Sequence, residues 1–111
     1  MSEHNNYEKE LGELAEKINQ AEAQGKPVEK YILRQIEILQ HSITIFLAEM
    51  EKEGRLDDIQ TVEIEIRQYS VMRNLAQKIN QPVEKYNELI KNAQCRVFGK
   101  ENWENFFGSN D

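Results

Sequence analysis

A lone cysteine, Cys95, leaves this chain no internal disulfide, and two histidines, His4 and His41, are too few to build a conventional zinc site by themselves. Long apolar runs are missing too. The longest, residues 45–48, is Ile-Phe-Leu-Ala, against the roughly 18 residues that a membrane span needs. Residues 1–9 are polar, so no secretory signal is expected, and the simplest setting is a reducing cytoplasm. The five glycines are isolated, which excludes the glycine-rich phosphate and dinucleotide loops. No local partner stands beside Cys95 for nucleophilic chemistry, so it reads as a structural thiol. His41 falls on the least apolar side of its helix and reads as facing solvent. No catalytic set and no cofactor are expected.

What is present is charge, at 31% of residues, with a net of −6. Residues 1–65 hold fifteen acids against seven bases, and residues 66–111 five acids against seven bases. An acidic first half and a slightly basic second half predict helices that complement one another on packing. No cluster of Lys and Arg suggests nucleic-acid binding.

Helical periodicity dominates, and the chain predicts one all-α domain. Its organising stretch is residues 28–53. Ile32, Ile36, Leu39, Ile43, Phe46 and Met50 step by four and three, the seam of a packed helix. A second row, Tyr31, Ile38 and Ile45, runs beside it, so this helix must be covered on more than one side. An earlier helix over 7–24 carries one narrow stripe of Tyr7, Leu11, Leu14, Ile18 and Ala21. Residues 1–6 read as a disordered start. A third helix, 58–80, follows a stripe through Ile59, Val62, Ile66, Tyr69, Met72, Ala76 and Ile79. Val62, Ile64 and Ile66 alternate with Glu63 and Glu65, a strand pattern, but the helical stripe persists far longer. A fourth helix, 83–97, carries Val83, Tyr86, Ile90, Ala93 and Val97.

Gly25 and Gly54 sit where helix-ending residues belong, Pro27 where the second helix begins, and Asp57 or Asp58 where the third is capped. The expected architecture is a four-helix bundle of two helical hairpins, followed by a short aromatic tail at 100–111.

The hairpins echo one another. Pro27-Val28-Glu29-Lys30-Tyr31 recurs unchanged as Pro82-Val83-Glu84-Lys85-Tyr86, at an offset of 55. Leu14-Ala15-Glu16-Lys17-Ile18-Asn19-Gln20 recurs in six of seven places as Leu75-Ala76-Gln77-Lys78-Ile79-Asn80-Gln81, at an offset of 61. This internal repeat predicts that Tyr31 and Tyr86 take similar places just inside their helices.

Three readings of function follow. The first is a non-enzymatic protein-interaction module: a small acidic adaptor, regulator, chaperone or immunity-type protein. Its partner-binding residues are Trp103, Phe106 and Phe107, which crowd into five residues of the tail and are of the kind that become interface hot spots. Either they fold back on the bundle or they engage a partner, and a homodimer would cover apolar surface that one chain leaves open. The second reading starts from Glu10, Glu13 and Glu16. Glu13 and Glu16 stand one helical turn apart and could share a hard cation. The stretch Glu10-Leu11-Gly12-Glu13-Leu14-Ala15-Glu16 resembles the first helix of the MazG-like all-α nucleotide pyrophosphohydrolases, and Leu56-Asp57-Asp58-Ile59 resembles their acidic second element. That resemblance covers about a dozen residues. It departs from the family pattern at Lys9, where another acid belongs. It implies a magnesium-dependent hydrolase with Glu10, Glu13, Glu16, Asp57 and Asp58 at the metal. The third reading is acidic mimicry of DNA, for which Lys and Arg interrupt the acids too often to form a continuous track.

Overall fold

Three of the helices close in the same way. In a computed structural model of the chain, which describes residues 3–99 and 102, with side chains from residue 7 onward, four α-helices follow one another: α1 (Glu3–Ala23), α2 (Glu29–Lys52), α3 (Ile59–Lys78) and α4 (Glu84–Phe98). At the end of α1, the Lys26 amide donates to the Ala21 carbonyl at 2.7 Å and the Gly25 amide to Glu22 at 3.1 Å. The end of α2 repeats this, with Arg55 to Met50 at 2.8 Å and Gly54 to Glu51 at 3.0 Å. So does α3, with Gln81 to Ala76 at 2.8 Å and Asn80 to Gln77 at 3.1 Å. These crossed bonds satisfy carbonyls that the helix leaves without partners, and they require a left-handed residue. Gly25, Gly54 and Asn80 supply it, with φ of 70°, 69° and 60°. Asn80 therefore does in α3 what glycine does in α1 and α2.

The fold is an all-α four-helix bundle, and the described residues contain no strand. Of the start at 1–6 expected to be disordered, residues 3–6 lie in α1, which begins at Glu3, and residues 1–2 lie outside the described residues. Pro27 does not open α2. It precedes Val28, which sits at the N-cap. Asp58 is the N-cap residue of α3, but its side chain makes no capping bond. Its carboxylate accepts instead from Arg55 Nε at 2.9 Å.

Each helix packs on the next, α1 on α2, α2 on α3 and α3 on α4. The two apolar rows of α2 divide this work. On one side the α2 seam meets α3 and α4: Ile43 forms a buried cluster with Tyr69, Met72 and Ala76 of α3 and Tyr86 of α4. Ile36, Leu39, Phe46 and Leu47 pack around it, with Leu89 and Ile90 of α4. On the other side Arg34 and His41 of α2 meet Glu10 and Tyr7 of α1. Ile38 lies between those two on the same helical face and is 1% exposed. Leu14, Ile18 and Ala21 are the buried stripe of α1.

The alternating stretch lies inside α3, and Glu65 belongs to its buried set. Thr61, Val62, Glu65, Tyr69, Met72 and Ala76 are the buried set, stepping by one, three and four, while Glu63 and Ile64 are exposed. No helix among the described residues is long and apolar enough to cross a membrane.

Candidate docking groove

The two copies of Pro-Val-Glu-Lys-Tyr take one local structure. Val28 and Val83 are the N-cap residues, with φ, ψ of −118°, 1° and −111°, −2°. The Tyr31 and Tyr86 amides donate to the carbonyls of Val28 and Val83, both at 3.0 Å. Lys30 Nζ lies 5.5 Å from the Tyr31 ring centroid, and Lys85 Nζ lies 5.1 Å from that of Tyr86. A cation over an aromatic face at this range is attracted by the ring quadrupole. The longer echo has no such correspondence. Asn19 lies inside α1, whereas Asn80 is the left-handed residue after α3.

Equal local structure meets unequal surroundings. Tyr86 is 2% exposed, because α2 and α3 close over it in the main cluster. Tyr31 is only half-buried and opens on a groove of about 530 Å³ with Ala21, Pro27 and Leu33. A second groove of about 520 Å³ adjoins it between the starts of α2 and α4, and the two share Lys30 and Leu33. Leu33 is 42% exposed. It stands on the side of α2 that neither α1 nor the α3–α4 cluster covers.

The rim is basic in an acidic chain. Lys26, Lys30, Arg34 and Lys85 line the two grooves, against Glu29 and Glu37. Arg34 Nη1 donates to Glu37 at 2.8 Å, and its Nε and Nη2 donate to Glu10 at 2.7 and 3.0 Å. These bonds raise the Arg34 pKa, with Glu10 the larger cause, and the Arg34 bond holds the Glu10 carboxyl below its usual range. The lysines remain as the groove's positive excess, beside the N-terminal ends of α2 and α4, which add partial positive charge.

The acids singled out for magnesium are not gathered. Glu10 is held by Arg34, while Glu13 and Glu16 are exposed on α1. Asp58 accepts from Arg55, and Asp57 lies 4.0 Å from Arg96. Among the described residues no three His, Cys, Asp or Glu side chains are grouped to hold a metal ion. The residues present therefore do not fit a resident magnesium. Trp103, Phe106 and Phe107 lie outside the described residues. Cys95 is half-buried, and exposed His41 meets the Tyr7 ring edge-on at 5.6 Å.

One buried polar cluster was not anticipated from the sequence. Glu65, 3% exposed, accepts from Tyr69 Oη at 2.7 Å and from Arg96 Nη2 at 2.7 Å. Arg96 also donates to the Leu56 carbonyl, from Nη2 at 2.9 Å and Nε at 3.2 Å. Burial, then the bond to Glu65, pushes the Tyr69 hydroxyl well above its usual pKa. Both Glu65 oxygens are engaged by protein donors, so the cluster ties α3, α4 and the α2–α3 connection together and offers no open ligand position. The groove had a sequence signal in the repeated Pro-Val-Glu-Lys-Tyr; Glu65 had none, standing in the sequence only as a polar member of the 62–66 alternation. Comparison with protein-family profiles, with curated protein sequences and with solved structures yields no match.

Proposed function

We propose that the chain is a non-enzymatic protein-interaction module, a small acidic adaptor or regulator, and that the paired grooves around Leu33 are a docking surface. The observation that carries this reading is Leu33 itself. It is a large apolar side chain 42% exposed in a concave, lysine-rimmed site beside half-buried Tyr31, whereas Tyr86, the counterpart of Tyr31 in the second half, is buried by its own chain. Protein interfaces combine an apolar floor with a charged rim in this way. The reading places the protein in the cytoplasm, with the half-buried thiol of Cys95 kept reduced. It treats the shared Pro-Val-Glu-Lys-Tyr structure as the remnant of an internal repeat. It keeps Trp103, Phe106 and Phe107 as interface residues and includes self-association among the protein contacts made.

The test is capture from a lysate of cells that make the protein, comparing wild-type bait with Leu33→Glu by quantitative mass spectrometry. Leu33 is exposed, so the variant should melt with the wild type. A protein, or a native copy of this chain, that is retained by the wild type and lost from the variant supports the reading. Identical capture by both baits overturns it.

A further inference from the structure

Resting on the docking reading above, we propose that the occupant of the groove is the aromatic segment 103–107 of a second copy of this chain, exchanged reciprocally in a closed dimer. Two observations select that occupant. The first is complementarity. Residues 100–111 combine Trp103, Phe106 and Phe107 with Glu101, Glu104 and Asp111 against one base, Lys100. The groove offers the counterpart: apolar Leu33, Tyr31 and Pro27 between Lys26, Lys30 and Lys85. Aromatic side chains seated in a desolvated pocket carry most of an interface's energy, and charges at its rim set orientation and rate of encounter.

The second observation is reach. The groove lies at the start of α4, while residues 99–111 depart from its far end. Tyr86 and Phe98 are twelve residues apart on α4, roughly 18 Å along a helix. The Asn102 side-chain amide donates to the Phe98 carbonyl at 2.9 Å, so the chain has gained little length by residue 102. From there to Phe107 is five residues, roughly 18 Å at full extension. Within one chain, the backbone of only the last of the three aromatics could draw level with Tyr86, so the segment could approach the second groove, lined by Ile36 and Gln40, but not the first, lined by Tyr31 and Pro27. A second copy placed across a two-fold axis escapes that limit. Both tails then find a groove, which closes the assembly at two chains.

The experiment is light scattering coupled to size exclusion, over a concentration series. The proteins are the full chain, a full-length variant without the aromatics (Trp103→Ala, Phe106→Ala, Phe107→Ala) and the groove variant Leu33→Glu, each checked for helical content and melting temperature. The proposal predicts a dimer for the full chain and monomers for both variants. Mixing the two variants should restore a weaker dimer, since one supplies tails and the other an intact groove, so that one of the two tail–groove contacts survives. Reversing the rim with Lys30→Glu and Lys85→Glu, at exposed positions outside the core, should weaken the dimer by about tenfold or more. A full chain that stays monomeric at every concentration overturns the proposal. So does a dimer that persists without the aromatics. A monomeric full chain whose Leu33→Glu variant still loses a different protein in the capture experiment overturns the second-copy occupant alone. A monomer with unchanged capture overturns both readings.

Discussion

At the scale of single residues, the buried carboxylate of Glu65 is the most consequential side chain. Arg96 is its charge partner, and removing one member of a buried pair leaves the other uncompensated. Arg96→Ala should therefore cost about 3 kcal/mol, read as a lower urea midpoint. Replacing both partners with apolar residues, Glu65→Leu with Arg96→Met, should cost less than Arg96→Ala alone, because no orphaned charge remains. Tyr69 adds a pH dependence whose sign is set by its raised pKa. The folded state holds the proton more tightly than the unfolded chain, whose tyrosine titrates near 10.0. The Tyr69 contribution is thus complete below pH 10 and is lost as pH rises beyond it. Tyr69→Phe should lower stability by about 1 kcal/mol near neutrality and flatten that alkaline loss in pH-resolved thermal melts. Glu10 acts in the opposite direction. Its lowered pKa makes the tie to Arg34 complete above the ordinary carboxylate range and lost as pH falls through it.

Sequence periodicity saw Glu65 only as half of a Glu63–Glu65 alternation. A buried acid is legible only when its partners are known, and Arg96 stands 31 residues away. By contrast, Leu14, Ile18, Ile32, Ile43, Tyr69 and Tyr86 fell in the core as their spacing required.

At the scale of elements, helix endings separate what local chemistry announces from what it hides. Gly25 and Gly54 were readable as helix ends, because glycine adopts left-handed backbone without strain. At Asn80 the sequence shows the end of the third helix, ahead of Pro82, but not the left-handed backbone: its φ is 60° and it closes α3 with the same pair of bonds. Asn80→Gly should raise stability by about 0.5 kcal/mol, and Gly25→Ala should lower it by about 1 kcal/mol. Space is not the cause at Gly25, since an added Cβ meets nothing within 4 Å. Gly12 lies inside α1 and also faces open space. Gly12→Ala should therefore stabilise by up to about 1 kcal/mol. Thermal melts of the three variants check these orders. On α1, Glu13 and Glu16 are exposed, and no third His, Cys, Asp or Glu among the described residues is grouped with them to hold a metal ion. Millimolar magnesium should leave the melting temperature where an ionic-strength-matched sodium salt leaves it. A specific rise with magnesium would show a bound ion and revive the hydrolase reading.

At the scale of the whole molecule, the uneven charge of the two halves has a structural counterpart. Lys78 of α3 meets Glu22 of α1 at 3.3 Å, and Arg96 of α4 meets Glu65 at 2.7 Å. These two bases of the second half meet acids of residues 1–65, while Arg34 and Arg55 pair with acids of their own half. The broad apolar surface of α2 is covered on two sides and open on a third, at Leu33. That openness is not a property of α2 alone. It arises because the chain that covers Tyr86 has no counterpart over Tyr31, and this depends on how all four helices stack. No local pattern could have announced it.

The most direct test places a photoreactive phenylalanine analogue at position 33, with a control at exposed Glu16 on α1. Irradiation of the concentrated protein, followed by peptide mapping, should give adducts from position 33 to residues 103–107 of another copy and none from position 16. No polypeptide adduct from position 33, or equal labelling from both positions, would contradict the aromatic segment of a second copy as the occupant of the groove.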